Sequence, residues 1–471
     1  MAGNWNDVTN RATAWPVGTG SVQGNVYTIT NAQELAQFAY LVNQNNGWYS
    51  MYAGSIIRLD SDIDLSEHDW TPIGTAYNPS APFMGTFDGN GKTISGLRIR
   101  GNFQRTGLFG SLYHSSSSLS HASVRDLRLE GVDIEVTPSY TQVFVGAVTG
   151  STGQGFIENC VVASGTVRVG ASSSATTHVG GIAGSHDGMG TIRNCVNVAN
   201  VEVEGGMDAF VGGIVGAQRG SFLMNSQNIG DVTMATAASS STHLGGIAGV
   251  LGPALGGQKG NAIKNCFNTG DVEVGTGSAE IGGLVGHVYV NDISDSYWQE
   301  ETAANALGNS SWDSNGTLLS VSNAPGQVVH TTHGDVPLLE ALNNWVDIQS
   351  RIKIYHNWMD DDTPYMNSGY PILAHLPINV PEIGDESLEA IAITAIDVSD
   401  DDIATLTWAP KLNAVSYLVY AKGALADTNL TWKGFFVDGD PVGDKLKLEF
   451  YWGDTLHLDY RFFTMRAIMT N

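Results

Sequence analysis

The sequence predicts an all-β protein built mainly as a parallel β-helix, followed by a small C-terminal β-sandwich. A glycine-rich phrase carries most of this expectation. It recurs as VGAVTG at Val145–Gly150, VGGIAG at Val179–Gly184, VGGIVG at Val211–Gly216, LGGIAG at Leu244–Gly249 and IGGLVG at Ile281–Gly286. Its first glycines (Gly146, Gly180, Gly212, Gly245 and Gly282) stand 34, 32, 33 and 37 residues apart, a period that marks a solenoid, a propeller or an array. Two further phrases share the period. One is an Asn-Cys or Asn-Ser step: Asn159-Cys160, Asn194-Cys195, Asn225-Ser226, Asn265-Cys266 and, by analogy, Asp295-Ser296. The other is a short alternating run: Thr166–Val169, Asn200–Val203, Asp231–Met234 and Asp271–Val274. Each period therefore offers three short apolar segments bounded by Gly, Asn or Asp, the pattern of strands and tight turns. Three strands in about 33 residues make one coil of a parallel β-helix. A four-stranded propeller blade needs a longer period, and helical repeats need a 3.6-residue periodicity that is absent. The rule for crossover connections makes the helix right-handed.

Composition sets the outer bounds. The 471 residues allow one extended domain plus one or two small ones. Charged residues are only 15% and glycines number 57, as expected when most residues sit in stacked strands and turns. The net charge of −25 argues against nucleic acid, which needs a basic footprint, and against anionic membrane surfaces. It fits a soluble secreted protein, such as one from a salty habitat. No segment is long and apolar enough to insert in a membrane, and a signal peptide is expected to have been removed. Secretion or display at the cell surface follows as an inference. The three cysteines, Cys160, Cys195 and Cys266, are too few for a disulfide framework. All occupy one slot of the repeat, which reads as a buried column of small residues. A Cys160–Cys195 bridge across adjacent coils is the competing reading, since strand spacing brings the two Cα atoms within disulfide range.

Residues 1–54 form an N-terminal segment with one amphipathic helix. Asn31 and Glu34 have capping-box spacing before the apolar positions Leu35, Phe38, Ala39, Leu41 and Val42. Covering the exposed strand edges of a solenoid end is the job expected of that helix. Residues 55–298 hold the β-helix. They begin with the alternating run Ile56–Leu65, then Trp70–Gly74, then Phe83–Leu97 with its dense turn signal Asp88-Gly89-Asn90-Gly91. Gly107–Gly110, Val124–Leu129 and Val132–Val136 complete the first recognisable coil.

This order of phrases, DSDIDLS, TPIG, GTFDGNGKTISGL and GLFG followed by repeated VGGIVG and NC steps, resembles the GLUG-motif proteins. These are repeat-bearing bacterial surface and secreted chains, adhesin-like ones among them. The resemblance runs from about Tyr27 to Leu373, and it implies the fold rather than an activity. Similar repeats occur in some immunoglobulin-A-cleaving metallopeptidases, but no His-Glu-x-x-His is present in this chain.

After Trp298 the repeats stop. Residues 299–378 are expected to cap the solenoid, with a short helix in Leu338–Val346 and the aromatic exit Tyr355, Trp358 and Tyr370. A Pro, Gly and acid-rich linker follows at 379–387, and residues 388–471 carry short alternating runs with regular turns. The phrases at Leu406–Pro410, Ser416–Lys422 and Tyr460–Ile468 resemble a fibronectin type III-like domain, with Trp408 as its core tryptophan.

Stacking turns sequence columns into ladders, and the ladders supply the candidate sites. The residues before each Val-Gly step are Phe144, His178, Phe210, His243 and Glu280. Facing out, they would form an aromatic and imidazole strip suited to sugar rings; facing in, they would be filler. A second column, Glu135, Arg168, Glu202, Thr233 and Glu273, alternates with Val and should face solvent as a salt-bridged ladder. The only catalytic constellation available is acidic: Asp231 with Asp271 one coil apart, and Glu202 with Glu273 two coils apart. Those spacings suit paired glycosidase carboxyls, although any acidic β-helix would offer them. Asp60, Asp62 and Asp64 repeat at period two and could begin a calcium site; no other cofactor is implied. His330-Thr-Thr-His333 has the spacing of a metal pair, a weak signal on its own.

The resulting expectation is a secreted or cell-surface module of adhesin-like, carbohydrate-binding or structural type. It would act through its elongated face on an extracellular glycan or a host or cell-surface partner. A carbohydrate-active enzyme using the acidic column is the rival. A subunit that assembles with its own copies is the third reading.

Overall fold

The computed structural model describes residues 3–15, 25–44, 52–74, 82–113, 122–188, 190–237, 241–252, 262–289 and 293–299 of the N-terminal region. Beyond these it describes 302–303, 305–309, 318–321, 328–331, 334–349, 354–361, 367–368, 370–374 and, in the C-terminal region, eight strands between 388 and 469. The linker at 379–387 and His333 lie outside the described residues. The chain divides into two compact units, the first made of Met1–Ser115, Ser120–Trp345 and His356–Pro377, the second mostly of Ile378–Asn471.

The first unit is a parallel β-solenoid of about seven turns. Its strands stack in four sheets. Sheet I contains nine strands, from Val26–Ile29 to Ile293–Ser294, and includes Phe156–Glu158, Thr191–Arg193, Phe222–Met224 and Ala262–Lys264. Sheet II also has nine, among them Val161–Val162, Val196–Asn197, Gln227–Asn228 and Phe267–Asn268. Sheet III has two side-by-side columns, which run together in the single long strand Asn200–Gly212. Sheet IV stacks six strands, including Thr149–Gly153, Ala183–Asp187, Val215–Arg219, Ala248–Gly252 and Val285–Val288. A coil thus holds more segments than the three read from the sequence. Pieces of two residues, such as Val196–Asn197, are too short to show alternation.

The glycine phrase is explained by the corner between sheets III and IV. The first glycine approaches the next coil: a Cβ on Gly212 would lie 2.1 Å from Val215 O and 2.8 Å from Ala248 Cα. The second abuts a buried asparagine: a Cβ on Gly213 would lie 2.2 Å from Asn228 Cγ, and Gly181 and Gly246 stand likewise against Asn197 and Asn268. In the first repeat the glycine is replaced by Ala147, and the asparagine slot in sheet II holds Val162 instead. The small residue and the amide change together.

Those asparagines form an internal ladder. Asn197 Nδ2 donates to Asn228 Oδ1 at 2.9 Å, and Asn228 Nδ2 donates to Asn268 Oδ1 at 2.8 Å. Each amide also donates to a backbone carbonyl two residues on, at Ala199, Gly230 and Gly270, so the buried polar groups are satisfied. A second ladder occupies the corner between sheets I and II, where Asn159, Asn194, Asn225 and Asn265 have φ of 54°, 52°, 47° and 54°. Asn tolerates this left-handed conformation better than most residues. Each side chain donates to the previous coil, from Asn159 to Asp126 Oδ1 and from Asn265 to Asn225 Oδ1, both at 2.8 Å.

The cysteines follow from this corner. All three are free and buried. Cys160, Cys195 and Cys266 point their thiols at the carbonyls of Glu158, Arg193 and Lys264, and Ser226 and Ser296 do the same toward Met224 and Ser294. The slot therefore wants a small side chain with a donor hydrogen, not merely a small apolar one. Burial pushes the Cys266 thiol up to about 12.

Helix α1 (Ala32–Gln44) joins the core at the N-terminal end through Leu35, Phe38, Ala39 and Val42. Phe38 packs edge-on against Tyr52 and Phe83, with centroids 5.1 and 5.8 Å away. Asn31 Oδ1 accepts from Glu34 N at 3.0 Å, and Glu34 Oε2 accepts from Thr30 N at 2.7 Å, so the capping arrangement is reciprocal but reaches one residue further back than a strict box. At the other end, among the described residues, the early segment of 299–378 adds to the final coil, with Leu307 bridging to Val285 and Leu318–Val321 pairing Ser296–Gln299.

The rest of that region corrects the expected end cap. After helix α2 (Leu338–Gln349), the chain lies along the side of the solenoid, over the corner ladder and sheet II. His356 N donates to Asn194 Oδ1 at 3.1 Å, and Trp358 Nε1 donates to Asn225 Oδ1 at 2.9 Å. Gln227 donates to Pro371 O at 2.8 Å and accepts from Leu373 N at 2.9 Å. The strap exists because the outer faces of Gln227 and Phe267 need cover; both are fully buried beneath it. In the second unit, strands pair antiparallel into two four-stranded sheets, one containing Leu388–Ile391 and Phe462–Met469, the other Ile403–Trp408 and Lys445–Tyr451.

Candidate functional site

Sheet III aligns both columns read from the sequence. In its first column Glu135 pairs with Arg168, Arg168 with Glu202, Glu202 with Thr233 and Thr233 with Glu273. In its second, Phe144 pairs with His178, His178 with Phe210, Phe210 with His243 and His243 with Glu280. Identical register leads to different surroundings.

The aromatic column points away from the solenoid core, since its flanking residues Val143, Val145, Val179, Ala209, Val211 and Leu244 are the core members. Phe144, His178 and His243 are nevertheless buried, and Phe210 and Glu280 half-buried. His178 is 1% exposed and His243 5%, so the column is not the open strip that sugar binding would need. The reason is the concave corner. Sheet IV turns back beside sheet III, so that His287 packs on His243 and the Arg219 charge reaches His178. Phe144 and His178 stack with centroids 4.7 Å apart at 14°, and Phe210 and His243 at 5.4 Å and 14°. Burial pulls the His178 pKa down to about 3, helped by the Arg219 charge. Arg219 itself sits 3.6 Å from Asp187.

The column ends in a cluster that the sequence reading only half identified. His243 Nδ1 lies 2.9 Å from Glu280 Oε2, and His287 Nδ1 contacts the same oxygen. The His243 and His287 rings are 4.7 Å apart, and Tyr289 packs on His287 at 4.2 Å. One ligand atom from each of His243, Glu280 and His287 falls within 4.8 Å of the others. His287 comes from sheet IV, in register with Val250, so no column of sheet III could reveal it. The signal was present as GLVGHVYV, where the imidazole occupies the position held in earlier coils by Ser151, Ser185 and Ala217. Burial lowers the pKa of His243 against the pull of Glu280.

The structure sets Asp231 and Asp271 one coil apart, as the repeat implies, and ties several of the acidic candidates into the scaffold. Glu202 is held by Arg168, with Nε 2.9 Å and Nη2 2.5 Å from Oε2. Asp231 Oδ1 accepts from the backbone N of Asp271 at 3.0 Å, and Asn200 Oδ1 accepts from Asp231 N at 3.2 Å. Asp231 is thus a turn acceptor in a column that also uses an amide. Glu273 is exposed, with Thr233 between it and Glu202. Asp60, Asp62 and Asp64 diverge, because the strand Ile56–Leu59 ends before Asp60. Asp62 accepts from Thr93 N at 2.8 Å and Asp64 accepts from Ser66 N at 2.9 Å, and the three are not brought together as a metal-holding group.

No family model matches the chain, and no solved structure matches it. A stretch of 132 residues, 27% of the chain, is 35% identical to halomucin from Haloquadratum walsbyi, of which it covers 1%. The chain thus spans a very small fraction of that relative's length.

Proposed function

We propose that the protein is a secreted or cell-surface module of adhesin-like, carbohydrate-binding or structural type, working through an open lateral face of its solenoid. The observation that carries this reading is the state of the acids on sheet III. Glu202 is neutralised by Arg168, and Asp231, at the turn before its strand, accepts a hydrogen bond from the backbone of Asp271, so both acids are engaged as scaffold groups. The face presents paired charges on a rigid ladder. The likeness to halomucin, a mucin by its name, supports a surface role for the matched stretch. The GLUG-like repeats and the fibronectin type III-like reading of the C-terminal strands fit the same class of protein.

The test is a glycan array run beside a reducing-sugar release assay on the full chain. The expected outcome is glycan retention without hydrolysis. Turnover abolished by Glu202→Gln or Glu273→Gln, with thermal stability kept, would install the enzyme reading in its place.

A further inference from the structure

We propose that His243, Glu280 and His287 bind a first-row divalent transition ion of the zinc type, which ties the last coil of the groove to the coil before it. The donor set is two imidazole nitrogens and one carboxylate oxygen. That combination suits zinc, cobalt, nickel or copper, whereas calcium and magnesium prefer oxygen alone. Bond lengths of about 2.0–2.2 Å around a tetrahedral ion put ligand atoms roughly 3.3–3.6 Å apart. The three donors already lie within 4.8 Å of one another, so small side-chain shifts suffice.

Two further observations point to a ligand. His243 Nδ1 is buried and has no hydrogen-bond partner in acceptable geometry, although Glu280 Oε2 is only 2.9 Å away. The nitrogen and the carboxylate thus lie side by side without a well-aligned hydrogen bond between them. Moreover, both rings are fixed by packing, His243 beneath Phe210 and His287 against Tyr289. Pre-set ring planes reduce the ordering that binding requires.

The chain supplies its own controls. At the level of His178 the facing residues of sheet IV are Ser185 and Ala217, and the neighbours in the column are phenylalanines. Among the described residues, only at the last level do an imidazole from sheet IV and a carboxylate from sheet III arrive together. Glu280–Gly282 and Val285–Val288 are there the final strands of their columns. An ion at that level would bridge these two strands to His243 in the preceding coil, while Leu307 and Asn309 continue the stack beyond Val285 and Val288. Three protein ligands leave a position for water.

The experiment uses the full chain, stripped of metal and titrated with cobalt(II). The expected result is one equivalent bound with the visible bands of tetrahedral cobalt, displaced by zinc, and a higher thermal midpoint with zinc than without. His287→Ala and Glu280→Gln should each weaken binding by about tenfold or more. Should His287→Ala fail to fold, Glu280→Gln, which keeps shape and volume, carries the test. Absence of tetrahedral bands in the wild type would overturn the proposal. So would cobalt affinity unchanged in both variants, which would place the ion on surface carboxylates.

Discussion

Two columns of sheet III share strands, register and spacing, yet one is solvated and the other largely buried. The Glu135–Arg168–Glu202–Thr233–Glu273 column stands on an open face, where Arg168 is 46% and Glu202 30% exposed. The Phe144–His178–Phe210–His243–Glu280 column stands a few residues further along, also pointing out of the core, and its rings are largely buried. The difference is made outside both columns, by the glycine corner that turns sheet IV back against the second one. Facing outward and being exposed are separate properties in a solenoid. The first follows from strand alternation, the second from the angle at the next corner.

The largest test of that comparison attacks the corner. Gly213→Ala would place a Cβ 2.2 Å from both Asn228 Cγ and Gly246 O. Backbone of the adjacent coil cannot step aside, so the expected loss is about 3 kcal/mol or more. The first repeat shows how the strain is relieved, with Ala147 in the glycine slot and Val162 in the asparagine slot. Adding Asn228→Val to Gly213→Ala should therefore be less harmful than the sum of the two single changes. Denaturant unfolding of the four proteins in a double-mutant cycle should give a coupling of about 1 kcal/mol or more. Strict additivity would mean that the two positions do not share space.

A second effect, felt only in acid, comes from two buried imidazoles, His178 in the column and His186 in the sheet IV strand Ala183–Asp187. His178 and His186 are both held at about 3 by burial, far below the ordinary 6.5. Protons therefore bind the unfolded chain better. The stability these groups provide is complete above about pH 6.5 and is lost as pH falls toward 3, at about 1.4 kcal/mol per pH unit for each. His178→Phe puts into the column the residue that its neighbours Phe144 and Phe210 already carry. It should flatten the acid limb of the stability profile by one imidazole while leaving neutral stability nearly unchanged. An unaltered acid slope, read from denaturant midpoints between about pH 6.5 and 4, would show that His178 titrates freely.

What was legible in the sequence divides along the same line. Periodicity placed the coils and the register of both columns, because identical residues recurring at one spacing must stack. It also placed α1, whose cap residues act locally. Contacts set by the third dimension were hidden. Gln227 reads as an ordinary polar residue, yet it anchors the strap through Pro371 and Leu373. His287 gave no signal in the sheet III columns, because its partners lie on a different sheet. Asp60, Asp62 and Asp64 looked like one face because alternation was extended across a strand end. The cysteine slot was read by size when hydrogen bonding to the residue two back decides it.

The smallest effects belong to the open column and its neighbours, where substitution can separate charge from hydrogen bonding. Glu202→Gln removes the pair with Arg168. Both partners are substantially solvated, so the loss should be at most about 1 kcal/mol and should shrink further in high salt. Asp231 makes the sharper case, because its role is to accept a hydrogen bond from Asp271 N. Asparagine keeps that acceptor, and Asn200 already fills the same role in the preceding coil, so Asp231→Asn should be close to neutral. Asp231→Ala deletes the acceptor and should cost about 1 kcal/mol. The order Ala worse than Asn, with Asn near wild type, identifies a turn residue in a scaffold. A chain in which Asp231→Asn is as damaging as Asp231→Ala would instead require the negative charge itself, and the acids of this face would then have to be reconsidered as chemistry.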